Sequence, residues 1–319
     1  MSNEFRDHIF ESMPKIDELL EAQGTPIPNR FIAAGKLYVE YFVQDSTFES
    51  KDQLLESDAY RECVLPIFND WYYEKYRDLT KYNVKTSYLG VAFVYGQPIE
   101  LKIPSTTSKV VEEGKVSKMM FPDHMQENEK IEEIIQPNIN LEHMTEKLAS
   151  DLKQQIAEII AYSRSINIDI NTSSELEQSA QKMSMGIWGH FEKGLSDILA
   201  NKPELSAVAC WEFHLAIEKS LKVLIHSKTG QGKHGHCLDD LIGWLKQHGC
   251  ELDSSELMGL PSDKDAIKLR YAEMMKQPIE AFSYYLIALK FVADVCTKLD
   301  HKHRFKNSSF TLKMAPWAR

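Results

Sequence analysis

From residue 174 to about residue 300, apolar side chains recur at three- and four-residue intervals in four successive stripes. Leu176, Ala180, Met183, Ile187, Phe191, Leu195 and Ile198 form the first, and Cys210, Phe213, Ile217, Leu221 and Leu224 the second. Leu238, Leu241, Ile242 and Leu245 form a short third, and Phe282, Leu286, Leu289, Val292, Cys296 and Leu299 the fourth. This period lines one face of an α-helix and cannot line one face of a strand. Four amphipathic helices joined by short connections have to bury their stripes against one another, which describes a helical bundle. A further short helix is expected over residues 263 to 275.

The N-terminal half reads differently. Residues 3 to 22 have a helical pattern, with Phe5, Ile9, Ile16, Leu19 and Leu20 on related faces, and "GTPIPNR" interrupts it. Helices are expected from Arg30 to Val43 and from Leu54 to Leu79, the second kinked or divided at Pro66. The period then changes to two: Val91, Phe93 and Tyr95 alternate before a turn at Gly96 and Gln97, and Ile99, Leu101 and Ile103 after it. That is a β-hairpin and implies a small sheet. Residues 104 to 136 are polar and give no clear pattern. A strong helix follows, with Leu141, Met144, Leu148, Leu152, Ile156 and Ile159 in register and an Asn as its possible cap. "SINIDINTSS" reads as a linker or short strand, so a boundary is placed near residue 170. The expected fold is mainly α: an α+β domain with a small sheet over 1–170, a bundle of four or five helices over 171–305, and a tail over 306–319.

Composition narrows the function. With a formal net charge of -10 over 319 residues, the surface is not built for general phosphate binding, so contact with nucleic acid requires a local basic patch. "KLDHKHRFK" supplies one, or else is only the cationic end of the last helix. Likewise "NDWYYEKYRDLTKY" either stacks bases on aromatics flanked by Lys75, Arg77, Lys81 and Lys85, or packs its aromatics on the hairpin. The five cysteines are odd in number and widely spaced, which fits a reducing compartment. With no apolar run near the ~20 residues that span a bilayer and no apolar signal core, a soluble, cytoplasmic protein is expected.

The chemistry concentrates in "WEFHLAIEKSLKVLIHSKTGQGKHGHCLDDL", residues 211 to 241. His214, Glu218 and Lys222 are successive i,i+4 neighbours, between the Phe213–Ile217–Leu221 stripe and a shorter Val208–Trp211–Leu215 one. The ridge is either a polar centre enclosed by the bundle, in which the carboxylate needs a partner, or a salt-bridge ladder on the helix surface. The loop "TGQGKHGH" has the glycines of an anion cradle. It follows a helix, however, and lacks the Gly-Lys-Ser/Thr ending of a phosphate loop. His234, His236 and Cys237 have no second pair of ligands at zinc spacing, so neither a metal nor a cofactor is expected. The loop reads as a connection beside a functional surface, with Lys233 and His234 open to an anion and His236 capping the next helix or bonding to a neighbouring one.

The order "HLAIEKSLKVLI", "GHCLDDL", "LRYAE" and a last long helix resembles HEPN domains over residues of roughly 174 to 300. The matching residues are Glu218, Lys219 and Lys222, then His236, Leu238 and Leu241, then Arg270 and Tyr271. The resemblance implies a small helical bundle of the kind found in prokaryotic nucleotide-related, toxin–antitoxin and antiviral defence proteins. It implies a homo-oligomer formed through that bundle and a nucleotide, an RNA or a protein partner as ligand. Nuclease members of the family carry an arginine, four to six residues, then a histidine. No arginine of this chain has a histidine at that spacing, and Arg270 is followed by "YAEMMKQ". This departure argues against ribonuclease activity. Three readings therefore stand: a binding protein, with His214, Glu218, Lys219, Lys222, Lys233, His234, His236, Arg270 and Tyr271 as ligand-binding candidates; a metal-independent ribonuclease with an altered centre; and a non-catalytic assembly adaptor.

Overall fold

The computed structural model describes residues 3–81, 87–113, 116–136, 143–173, 176, 178–301, 303 and 305–313. The protein is mainly helical, with two small antiparallel sheets. It divides into two compact units, 1–85 and 86–319. The division is thus far from residue 170.

In the first unit, α1 (Asn3–Ala22), α2 (Ile27–Phe42) and α4 (Leu65–Tyr76) pack on one another, with the short α3 (Lys51–Glu56) between α2 and α4 in the chain. Their core contains Ile9, Met13, Leu20, Ala34, Phe68 and Tyr72. The long helix expected from Leu54 is broken into α3, a π-helical turn over Tyr60–Val64 and α4. Pro66 is in the first turn of α4, where its missing N–H is harmless. The aromatic run is divided as well. Tyr72 is buried in this core, and the Tyr76 hydroxyl donates to Asp17 at 2.6 Å. Tyr73 is exposed beneath Arg77, and Lys85 lies outside the described residues.

Asp17 is the polar centre of this unit. It is only 1% exposed and takes hydrogen bonds from Arg30, Lys75 and Tyr76. Burial pushes its carboxyl upward, but those three donors outweigh it and hold it below the usual range.

In the second unit the hairpin forms as the alternation predicts. β1 (Ser87–Val94) pairs with β2 (Gln97–Pro104), and β2 with the two-residue β5 (Ile135–Gln136). Val91, Ala92, Leu101 and Ile103 enter the same core as the helices. That shared core explains why no boundary forms near residue 170. α6 (Glu146–Thr172) runs straight through "SINIDIN" and buries Ile166 and Ile168. Its cap is Thr145, whose hydroxyl accepts from Leu148 N, rather than an asparagine. α7 (Gln178–Leu199), α8 (Pro203–Thr229), α9 (Leu238–Gln247), α10 (Asp263–Arg270) and α11 (Pro278–Thr297) complete the helices. The short helix expected over 263–275 ends at Arg270, and Ser262 caps its start.

The segment without a pattern forms the second sheet. β3 (Thr107–Glu112) pairs with β4 (Val116–Met120), and β4 pairs with β6 (Ser309–Lys313). Residues 309–313, expected as tail, are therefore an outer strand. Arg164 anchors this region to α6. It is fully buried and donates to the carbonyls of Pro104 and His124 at 3.0 and 2.8 Å, and to both carboxylate oxygens of Glu129. Among the described residues, no helix is long and apolar enough to cross a membrane.

Candidate functional site

The site is built on α8. This helix touches α7, α9, α10 and α11, so residues are buried on more than one face. Ala207, Cys210, Phe213, Ile217 and Leu221 are buried, and so are His214 and Glu218, at 4% and 5% exposure. That decides between the two readings of the polar ridge, because a surface ladder would be open to water. Gly230 stops α8 in the left-handed conformation (φ 68°) and returns its N–H to the His226 carbonyl at 2.8 Å. The chain then loops back toward α8 before α9 begins.

Among the described residues, Glu218 is bonded by Lys222 and His236, both at the same oxygen. Lys222 Nζ donates to Oε1 at 2.6 Å, and His236 Nδ1 lies 3.0 Å from Oε1. A carboxylate only accepts, so the contact requires the proton on Nδ1. Lys222 is one turn along α8; His236 comes from the loop, with its side chain 85% exposed. Residue 236 therefore bonds to a neighbouring helix. The N-cap of α9 is Cys237, and it makes no side-chain capping bond.

Glu218 and His236 open onto a cavity of about 960 Å³. Five of the candidates line it: His214, Glu218, His236, Arg270 and Tyr271. The guanidinium of Arg270 lies 5.7 Å from the centroid of the Trp211 ring and 5.4 Å from that of Tyr271, within the range of cation–π attraction. Trp211 also neighbours His214, whose ring is nearly parallel to it (8°) at 5.8 Å. Val208, Leu215 and Ile267 supply apolar wall.

Four candidates are not on the wall. Lys222 reaches it only through Glu218. Lys219 points to α7: its Nζ is 2.7 Å from where a Cβ on Gly186 would lie. Lys233 covers the Trp244 ring at 5.7 Å, and His234 is exposed on the loop. The wall also includes residues that the sequence did not single out, Lys193 and Glu212 among them. Glu212 Oε2 is 2.6 Å from His190 Nδ1, so His190 of α7 and Glu212 of α8 form a second imidazole–carboxylate pair. His190 falls off the α7 stripe, and Glu212 falls off the ridge. Only the closeness of α7 to α8 joins them.

Among the described residues, no group of three or more His, Cys, Asp or Glu could hold a metal ion. The chemistry of the cavity is therefore that of an aromatic wall, a guanidinium and two carboxylates with donors attached. It can stack a planar ring, pair with an anion and accept hydrogen bonds. Comparisons with protein-family models, with curated proteins and with solved structures find no match.

Proposed function

We propose that the protein binds a nucleotide or the nucleotide unit of an RNA, and that the cavity beside α8 is the binding site of a HEPN-like bundle. One observation carries this reading. Of the eight residues on which the resemblance to HEPN domains rests, four, Glu218, His236, Arg270 and Tyr271, lie up to 53 positions apart in sequence and line one cavity. Three unrelated stretches of a helical protein have no general reason to converge on one wall.

The chemistry supports the same reading. Arg270 and Lys193 answer a phosphate, and the faces of Trp211 and Tyr271 answer a base. The volume, about 960 Å³, is of the size that small-molecule sites occupy. The loop lies at the rim and gives His236 to the wall; it is not a phosphate cradle.

A thermal-shift series with nucleoside monophosphates and short RNA tests the proposal, because a ligand that binds only the native state raises Tm. Binding should raise Tm in the parent and not in Arg270→Ala. No shift with any of these ligands would remove the reading.

A second reading, docking of a protein partner, draws on a specific feature. Ile267 on α10, Tyr271 and Met275 after it and Ile279 at the start of α11 are each more than half exposed. Exposed apolar residues that cluster beside a cavity suit an interface.

A further inference from the structure

We infer that the base this cavity selects is guanine, an assignment that rests on the nucleotide reading above. The polar groups of the wall include Lys193, Glu212, His214 and His236, and two more of fixed and opposite hydrogen-bonding character. Glu218, as a carboxylate, is an acceptor only, and Arg270 is a donor only. Both border the same cavity, beside the Trp211 and Tyr271 rings.

The bases differ in what they offer such a pair. Guanine presents two adjacent donors, N1–H and N2–H₂, which match the acceptor sites of one carboxylate. Its O6 and N7 are adjacent acceptors and match the guanidinium fork. Adenine has an amino donor but no ring N–H beside it, and its N6 displaces the acceptor that O6 provides. Cytosine has a single amino donor, and uracil a single ring N–H. Among the common bases, guanine alone offers a donor pair to Glu218 and an acceptor pair to Arg270.

The state of Glu218 fits this role. A carboxylate has about four acceptor sites. Among the described residues Lys222 and His236 both bind at Oε1, and the base donors are assigned to Oε2. The two bound donors fix the carboxylate plane from below and from the loop, so it is already oriented when the ligand arrives. Glu218 is 5% exposed. A base that fails to supply donors there leaves an acceptor without its bond in a site shielded from water, which weakens binding by about tenfold to a hundredfold.

The test is calorimetric titration of the full chain with GMP, IMP and AMP. IMP keeps N1–H, O6 and N7 but lacks the 2-amino group. Binding should weaken in the order GMP, IMP, AMP, with about tenfold or more between GMP and IMP. Arg270→Gln, at an exposed position, should weaken GMP and IMP alike and keep their ratio. Glu218→Gln should bring GMP and IMP to similar affinity. Equal binding of GMP and AMP by the parent would overturn the guanine assignment and leave the nucleotide reading intact. Failure of all three to bind would overturn both. The ranking is read on the unaltered chain, so it holds even if Glu218→Gln does not fold.

Discussion

His236 Nδ1 lies 3.0 Å from Glu218 Oε1, although 18 residues separate the two and the imidazole comes from an exposed loop. The contact ties the start of α9 to the middle of α8. The two partners are unequal in energy: the carboxylate is buried and the imidazole is not.

Glu218→Ala should therefore destabilise by about 2–3 kcal/mol, below the ~3–5 kcal/mol of a fully buried pair, because the counter-charge left behind, Lys222, is only partly buried at 15% side-chain exposure. His236→Ala should cost about 1 kcal/mol or less, the range of an exposed ion pair. Urea unfolding of both variants checks the ratio. Equal losses would show that the loop, and not the buried charge, carries the energy.

Glu129→Ala should cost the full ~3–5 kcal/mol, because Arg164 is fully buried and loses its carboxylate. Its two carbonyl partners remain, so the loss should be local to the segment between β2 and the short helix α5 (Ile131–Ile134). Hydrogen exchange there should quicken first. Unchanged exchange would mean that the carbonyls of Pro104 and His124 suffice.

Gly194→Ala should be destabilising by about 1–3 kcal/mol, the scale of overpacking. A Cβ at this position would lie 2.6 Å from the Phe213 ring, where α7 meets α8. A calorimetric Tm equal to that of the parent would show that Phe213 moves aside freely.

The Asp17 carboxyl is held below its usual value of 3.8 in the folded state. Its stabilising contribution is thus fully present above the unfolded-state pKa and is lost as pH falls through 3.8 toward the lower folded value. Parent and Asp17→Asn should differ in stability at pH 6, and the difference should shrink below about pH 4. A difference that stays constant between pH 6 and pH 3 would exclude the linkage.

Limited proteolysis should give a folded fragment beginning near residue 86, since the units divide there. Cuts near residue 170 should not occur early, because α6 is helical to Thr172 and shares its core with α11. A stable fragment beginning between about 165 and 180 would restore the boundary suggested by composition.

Much of this fold is local and therefore legible in sequence. The stripes of α7, α8, α9 and α11 are cut by a three-four period that only a helix satisfies, and the hairpin at Gly96 by a period of two. The ridge His214–Glu218–Lys222 follows from helical geometry alone. Pairings between distant segments leave no periodic trace. The end strand Ser309–Lys313 joins β4 across nearly two hundred residues, and Arg164 meets Glu129 through a segment with no pattern of its own. "SINIDIN" reads as a linker because its polar residues dilute the stripe, yet Ile168 is buried and Ile166 enters a core that the hairpin and the later helices complete. Local propensity thus determined which residues form helices and which face of α8 carries its titratable groups. Tertiary structure decided that this face is enclosed, that Arg270 and the Glu212–His190 pair come to it, and where the chain divides. Burial and long-range proximity depend on what every other helix does, and no window of sequence contains that.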